Sequence, residues 1–170
     1  MISVLLLRGV NVGGHGKLPM ATFKDALLAA GAVEPETYIQ SGNAVFEGRV
    51  SLPEVQKEIS ARAGFTPNGF LVASDAFQAI VRGNPYPEAA DDPKSLHVFF
   101  ADRPIDIDVS GQTGIDERAT IGNGALYLHT PGGLSKSKLA PRIDRLFGAR
   151  VTGRNWRTVL RLSEMVEARQ

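Results

Sequence analysis

The stretch Thr37–Phe46, TYIQSGNAVF, decides the fold. Two runs rich in β-formers flank Ser41-Gly42, which reads as a tight hairpin. What stands on either side sets the topology. Upstream, Ile2–Leu7 is a short continuous apolar run, the pattern of a strand buried on both faces. Pro19 then opens a helical pattern with Met20, Phe23, Leu27 and Ala30 on one face, and Gly31 closes it. Downstream, SLPEVQKEISARAG (51–64) offers Ser51 as N-cap, Pro53 early in the helix and Glu54 for a capping box. Leu52, Val55 and Ile59 form its apolar stripe and Gly64 ends it. GFLVA (69–73) is a further strand, so the order is β-α-β-β-α-β.

The pattern returns in outline. A short helix is predicted over Ser74–Arg82, then a proline-bearing connection, GNPYPEAADDP (83–93). SLHVFF (95–100) reads as a strand, and ERATIGNGALYLH (117–129) as two strands turning at Gly122-Asn123-Gly124. SKSKLAPRIDRLFG (135–148) carries Leu139, Ile143, Leu146 and Phe147 at helical spacing, and ARVTG (149–153) is a short last strand. NWRTVLRLSEMVEAR (155–169) is a final amphipathic helix with Trp156, Val159 and Leu160 as its buried stripe. Residues 102–114 should hold this half's first helix, yet Ile105, Ile107 and Val109 alternate as in a strand, and its acids read as a wet edge. The expected fold is α+β: two ferredoxin-like βαββαβ repeats with mainly antiparallel sheets, plus a C-terminal helix. The units are placed at 1–74 and 95–170, joined by 75–94.

Composition narrows the function classes. The chain has 170 residues, 43% hydrophobic and 22% charged, as a globular protein does. It has no cysteine, which excludes a disulfide framework, a thiolate metal site and a cysteine nucleophile. The first residues lack a basic n-region, and their apolar run is too short for a signal peptide or membrane span. A cytoplasmic location is expected, without a membrane partner. Net charge is only +1, but it is unevenly spread. Asp75–Glu117 holds nine acids against three bases, whereas Lys136–Arg161 holds eight bases against Asp144 alone.

Topology gathers residues before any coordinates do. In a βαββαβ unit the loop after the first strand and the central hairpin lie at one end of the sheet. The first half thereby brings together Arg8, Asn11, Gly13 and Gly14 with Ser41 and Asn43. In the second half, the loop before the last helix of the repeat and the exit of the last strand share the opposite end. That gathers Ser135 and Lys136 with Arg154, Asn155 and Arg157.

The segments LLRGVNVGG (6–14), TYIQSGNAVF (37–46), NPYP (84–87), KSLHVFF (94–100), GGLSKSKL (132–139) and GRNWRTVLRL (153–162) together resemble a bacterial family, domain of unknown function 1697. They span nearly the whole chain in order. The resemblance implies a fold of ferredoxin-like repeats and brings no reaction with it. The family pattern usually has threonine before Arg-Asn-Trp, where this chain has Gly153.

Physical chemistry must then supply the function. LLLRGVNVGGHGKLPM (5–20) has neither the P-loop nor the dinucleotide spacing. A glycine loop between a strand and a helix still offers amides to an anion, with Arg8 to grip it. The alternative is glycines that satisfy φ > 0 turns beside an Arg8 paired with a structural carboxylate. Arg154 and Arg157 flank a helix start that Asn155 caps, where cations oppose the helix dipole; this conflict points to an anion. The expected ligand set is therefore Arg8, Asn11, Gly13, Gly14, Ser41, Asn43, Lys136, Arg154, Asn155 and Arg157, for a small anionic or phosphorylated molecule. No cofactor or metal is expected, since the histidines lack ligand spacing. No serine shows a nucleophile signature, so no catalytic residue is assigned. Nucleic acid is the weaker candidate: neither NAVFEG nor LHVFF carries the RNA-binding aromatic signature. A protein-interaction module is the third class.

Overall fold

The computed structural model describes residues 1–170 as a mixed α+β protein with two four-stranded antiparallel sheets and five α-helices. Two compact units divide the chain. The first comprises Met1–Phe77 and Leu162–Gln170, the second Gln78–Arg161. The C-terminal residues Leu162–Gln170 thus group with the first unit.

In the first unit β1 (Ile2–Arg8), β2 (Val33–Tyr38), β3 (Asn43–Glu47) and β4 (Asn68–Ala73) form a sheet in the order β2-β3-β1-β4. β1 is central and its five middle residues are buried, as a continuous apolar run requires. Helices α1 (Met20–Ala29) and α2 (Leu52–Ala63) cover one face. There Phe23, Leu27, Val55 and Ile59 pack with Leu5, Leu7, Ala44 and Phe46. The α2 signals are all used. The Glu54 amide donates to Ser51 Oγ at 3.4 Å, the Ser51 amide donates to Glu54 Oε2 at 3.0 Å, and Gly64 ends the helix at φ +79°. The hairpin connection Ile39–Gly42 is longer than the tight turn expected, with Ile39 at φ +52° and Gly42 at +86°. Arg169, near the C-terminus, ties back to this sheet through Glu36 at 3.6 Å and Glu47 at 3.8 Å.

The second unit repeats the strand order, with β5 (Leu96–Phe100), β6 (Arg118–Gly122), β7 (Ala125–His129) and β8 (Thr152–Asn155) arranged β6-β7-β5-β8. Helix α3 (Ser74–Arg82) matches its expected bounds, and the Tyr127 hydroxyl of β7 donates to the Ile80 carbonyl at 2.6 Å. The segment after β5 is not a helix. It runs as an irregular strap that buries Ile105 against Phe99, Leu126 and Leu128, anchored where the Ile105 amide donates to the Gly124 carbonyl at 2.9 Å. Its alternating apolar residues fill the place of a helix face.

Two expectations are corrected. The helix predicted from 135 onward reduces to α4 (Ile143–Phe147), preceded by 3-10 turns at Leu134–Lys136 and Ala140–Arg142. Pro141 has no N–H to donate, and the amides of Lys138 and Leu139 are committed to a carboxylate instead. Helix α5 (Trp156–Glu167) buries Trp156, Val159, Leu162, Met165 and Val166, but Leu160 lies outside the stripe at 36% exposure.

Candidate functional site

The first unit's candidate residues meet at one end of its sheet, where the Leu7 amide donates to the Gly42 carbonyl at 2.8 Å. The glycine loop is a small hairpin of its own. Val12 and His15 exchange backbone bonds of 3.1 and 2.8 Å, and the Asn11 amide donates to the Gly16 carbonyl at 2.8 Å. Gly13 and Gly14 form its exposed tip with φ +55° and +78°, and nothing would crowd a Cβ there. Lys17, Leu18 and Pro19 separate the hairpin from α1, so its tip does not lead directly into a helix N-terminus.

The two asparagines have structural duties. Asn11 Nδ2 donates to the carbonyls of Leu18 and Gln40, each at 2.8 Å, while its Oδ1 accepts the Leu18 amide at 2.8 Å. Asn43 is fully buried, and its Nδ2 donates to the Tyr38 carbonyl and to Ser41 Oγ, both at 3.0 Å. They hold the two loops in shape. Arg8 sits half-buried at the end of β1, opposite Asn68.

In the second unit the pairings Leu96↔His129 and His97↔Asn155 put the loop after β7 and the exit of β8 at one end of the sheet. Asn155 caps α5: its Oδ1 accepts the Thr158 amide at 3.0 Å. Arg157 is exposed on the first turn. Arg154 is not on the surface; at 7% exposure its Nη1 donates to Thr152 Oγ1 at 2.6 Å and to the Gly153 carbonyl at 3.0 Å. Burial pushes its guanidinium down to about 10, which leaves it charged at neutral pH.

Lys136 borders a cavity of ≈ 120 Å³ formed with Asp116, Glu117, Thr130, Gly132, Gly133 and Ser137. Glu117 organises it. Its Oε1 accepts the amides of Gly114 (2.7 Å), Lys138 (2.9 Å) and Leu139 (3.1 Å), and Ser137 Oγ donates to its Oε2. Burial raises the carboxyl's pKa, but the Ser137 hydroxyl and the three amides together outweigh that and hold it below the ordinary 4.5. Sequence reasoning did not single out Glu117, Thr130 or the Gly132-Gly133 pair. The glycine pair, just upstream of Ser135 and Lys136, was the available signal; Glu117 gave none, because its partners lie up to 22 residues away.

His97 and His129 both lie in strands. Burial lowers the pKa of each, and for His129 the Arg118 charge adds to the lowering against Glu88 and Asp92. Arg118 Nη2 lies 3.2 Å from His129 Nδ1, and the guanidinium covers the Tyr86 ring at 4.9 Å. No group of three or more histidine, aspartate or glutamate side chains is placed to hold a metal ion. No helix is long and apolar enough to cross a membrane.

The solved structure of conserved bacterial protein SP0830 from Streptococcus pneumoniae is similar over 97% of this chain and 98% of that one, with a TM-score of 0.77 and 24% identity. That likeness shows a shared fold. Comparison with curated proteins gives no match. Residues 1–127 match the family model described as protein of unknown function, DUF1697. Since the match covers most of the chain and includes its first sheet, its glycine hairpin and most of its second sheet, the chain belongs to the DUF1697 family.

Proposed function

We propose that the protein is a cytoplasmic, ferredoxin-like domain that binds a small anionic ligand, phosphorylated or carboxylated and also carrying hydroxyl groups. The cavity at Lys136 carries this reading. Its volume admits a phosphate-sized group with several waters. Lys136 supplies positive charge, and Gly132-Gly133 allows close approach of a ligand to the backbone. The Glu117 charge is already answered by its four donors, whereas the exposed Asp116 is suited to accept ligand hydroxyls. Arg157 and the capped start of α5 add positive potential at the same sheet end, and the buried Arg154 adds a fixed charge behind it. In the first unit, Arg8 and the Gly13-Gly14 tip form a second anion-holding element, which Asn11, Ser41 and Asn43 keep in shape. The proposal is of binding, and no reaction is assigned.

A thermal-shift screen of nucleotides, sugar phosphates and carboxylates tests it, with Lys136→Ala, Arg157→Ala and Arg8→Ala as controls. A ligand at a hundredfold over Kd stabilises by about 2.7 kcal/mol, roughly 5–10 °C for a chain of this size. The expected result is a shift with one class of small anion that Lys136→Ala removes. Silence across all small anions would overturn the proposal. The exposed Lys138, Arg145, Arg150 and Arg157 favour a second reading, nucleic-acid binding. It requires a shift with a short oligonucleotide that weakens steeply with salt.

A further inference from the structure

β6 is an edge strand, with no strand paired on its outer side. The turn that joins it to β7 has only Asn123 and Gly124, both left-handed at φ +53° and +77°, so Gly122 and Ala125 are the closing hydrogen-bonded pair. Alternation then aims the N–H and C=O of Arg118, Thr120 and Gly122 at β7, and those of Ala119 and Ile121 outward. The outward groups of Ala119 and Ile121 make no hydrogen bond within the chain. Two of the usual means of blunting an edge are missing from it. It has no proline and keeps register through Gly122↔Ala125, whereas edge strand β2 carries Pro35 and a register shift between Val33 and Glu36. A groove of ≈ 490 Å³ beside β6 is bordered by Arg118, Ala119 and Thr120 of the strand and by Ser110, Gly111 and Thr113 of the strap.

We propose that β6 pairs antiparallel with β6 of a second copy of this chain, joining two four-stranded sheets across a twofold axis at Thr120. The strand is self-complementary in this register. Ala119 falls opposite Ile121 of the second copy, and Ile121 opposite its Ala119, so every outward N–H and C=O gains a partner. A small and a large apolar side chain meet on one face, and threonine meets threonine on the axis, a favourable cross-strand pair. Arg118 lies opposite Gly122, so like charges do not oppose each other. Centring the pairing on Ala119 or Ile121 instead runs one end past the strand and leaves outward groups unmatched. This self-complementarity favours a second copy over an unrelated peptide as the occupant.

Sedimentation velocity and light scattering on the full chain, up to about 1 mM for an interface this small, test the pairing. The expected mass rises from 18.2 kDa to about twice that. Thr120→Lys and Thr120→Glu each set like charges directly across the axis, so each variant alone stays monomeric. An equal mixture of the two regains the dimer, which loss of folding does not allow. Ala119→Pro removes an outward N–H while leaving the β7 ladder intact, and it too stays monomeric; thermal melts confirm that each variant is folded. A monomeric wild type throughout, a dimer that survives all three substitutions, or a charge-swapped mixture that stays monomeric would each overturn the proposal. Binding of an extended peptide at this edge by a wild type that does not self-associate would overturn it in favour of a foreign strand.

Discussion

Asn11 and Leu18 exchange two hydrogen bonds of 2.8 Å, the Leu18 amide donating to Asn11 Oδ1 and Asn11 Nδ2 donating to the Leu18 carbonyl. The side-chain amide acts here as a strand would, and its second donor reaches Gln40 on the neighbouring hairpin. Asn11→Ala leaves the amide of fully buried Leu18 without its acceptor. We expect a loss of about 1–3 kcal/mol in urea unfolding, with Asn11→Asp losing at least as much, because its second carboxylate oxygen faces the Leu18 and Gln40 carbonyls to which Nδ2 now donates. A clearly smaller loss for Asn11→Asp would place the energy in the bond from the Leu18 amide alone.

The glycines of the same hairpin are not equivalent. A Cβ on Gly16 would lie 2.2 Å from the Gly9 carbonyl oxygen, while one on Gly13 meets nothing, although both have positive φ. Gly13→Ala therefore carries only the left-handed strain, about 1 kcal/mol. Gly16→Ala adds a backbone clash and should lower the melting temperature clearly further. Similar melting temperatures would show that the loop opens without cost.

Glu117 makes stability depend on pH. Its folded pKa lies below the unfolded 4.5, so its contribution is present above that value and disappears as pH falls through the folded pKa. Glu117→Gln should cost about 1–3 kcal/mol at pH 7, since the amide cannot accept all four donors. The gap between wild type and variant should then narrow below about pH 4.5. Urea melts across this range measure it, and a gap constant down to pH 3 would contradict the role given to the carboxylate.

Gly153 lies against Phe99, and that contact explains why glycine suits this position. A Cβ at position 153 would meet the Phe99 ring at 2.8–3.1 Å, with the ring itself buried in the core. Gly153→Thr is expected to destabilise by about 1–3 kcal/mol through overpacking. In a Phe99→Leu background the same change should cost less, by a coupling of at least about 0.5 kcal/mol in a double-mutant cycle. Additive effects would separate the two residues.

Local chemistry made much of this protein legible. The capping box at Ser51 and Glu54, the stop at Gly64, the Asn123-Gly124 turn and the Asn155 cap involve groups within a few residues of one another. Their geometry is fixed by covalent proximity, so sequence spacing reveals it. The element order β-α-β-β-α-β of the first unit is legible too, because apolar periodicity and turn residues mark each element locally.

Tertiary structure decided what depends on partners far along the chain. In the irregular strap after β5, Ile105, Ile107 and Val109 pack on the second unit's core, and the Ile105 amide finds the Gly124 carbonyl 19 residues on. Lys138 and Leu139 leave their helical pattern for the carboxylate of Glu117, and Arg154 turns from the surface towards Thr152. The sequence by itself determined the strands, the caps and the ends of the sheets at which the polar residues gather. Which of those residues hold the scaffold and which face open space was decided by packing, since burial and hydrogen bonding between distant segments are not encoded in local spacing.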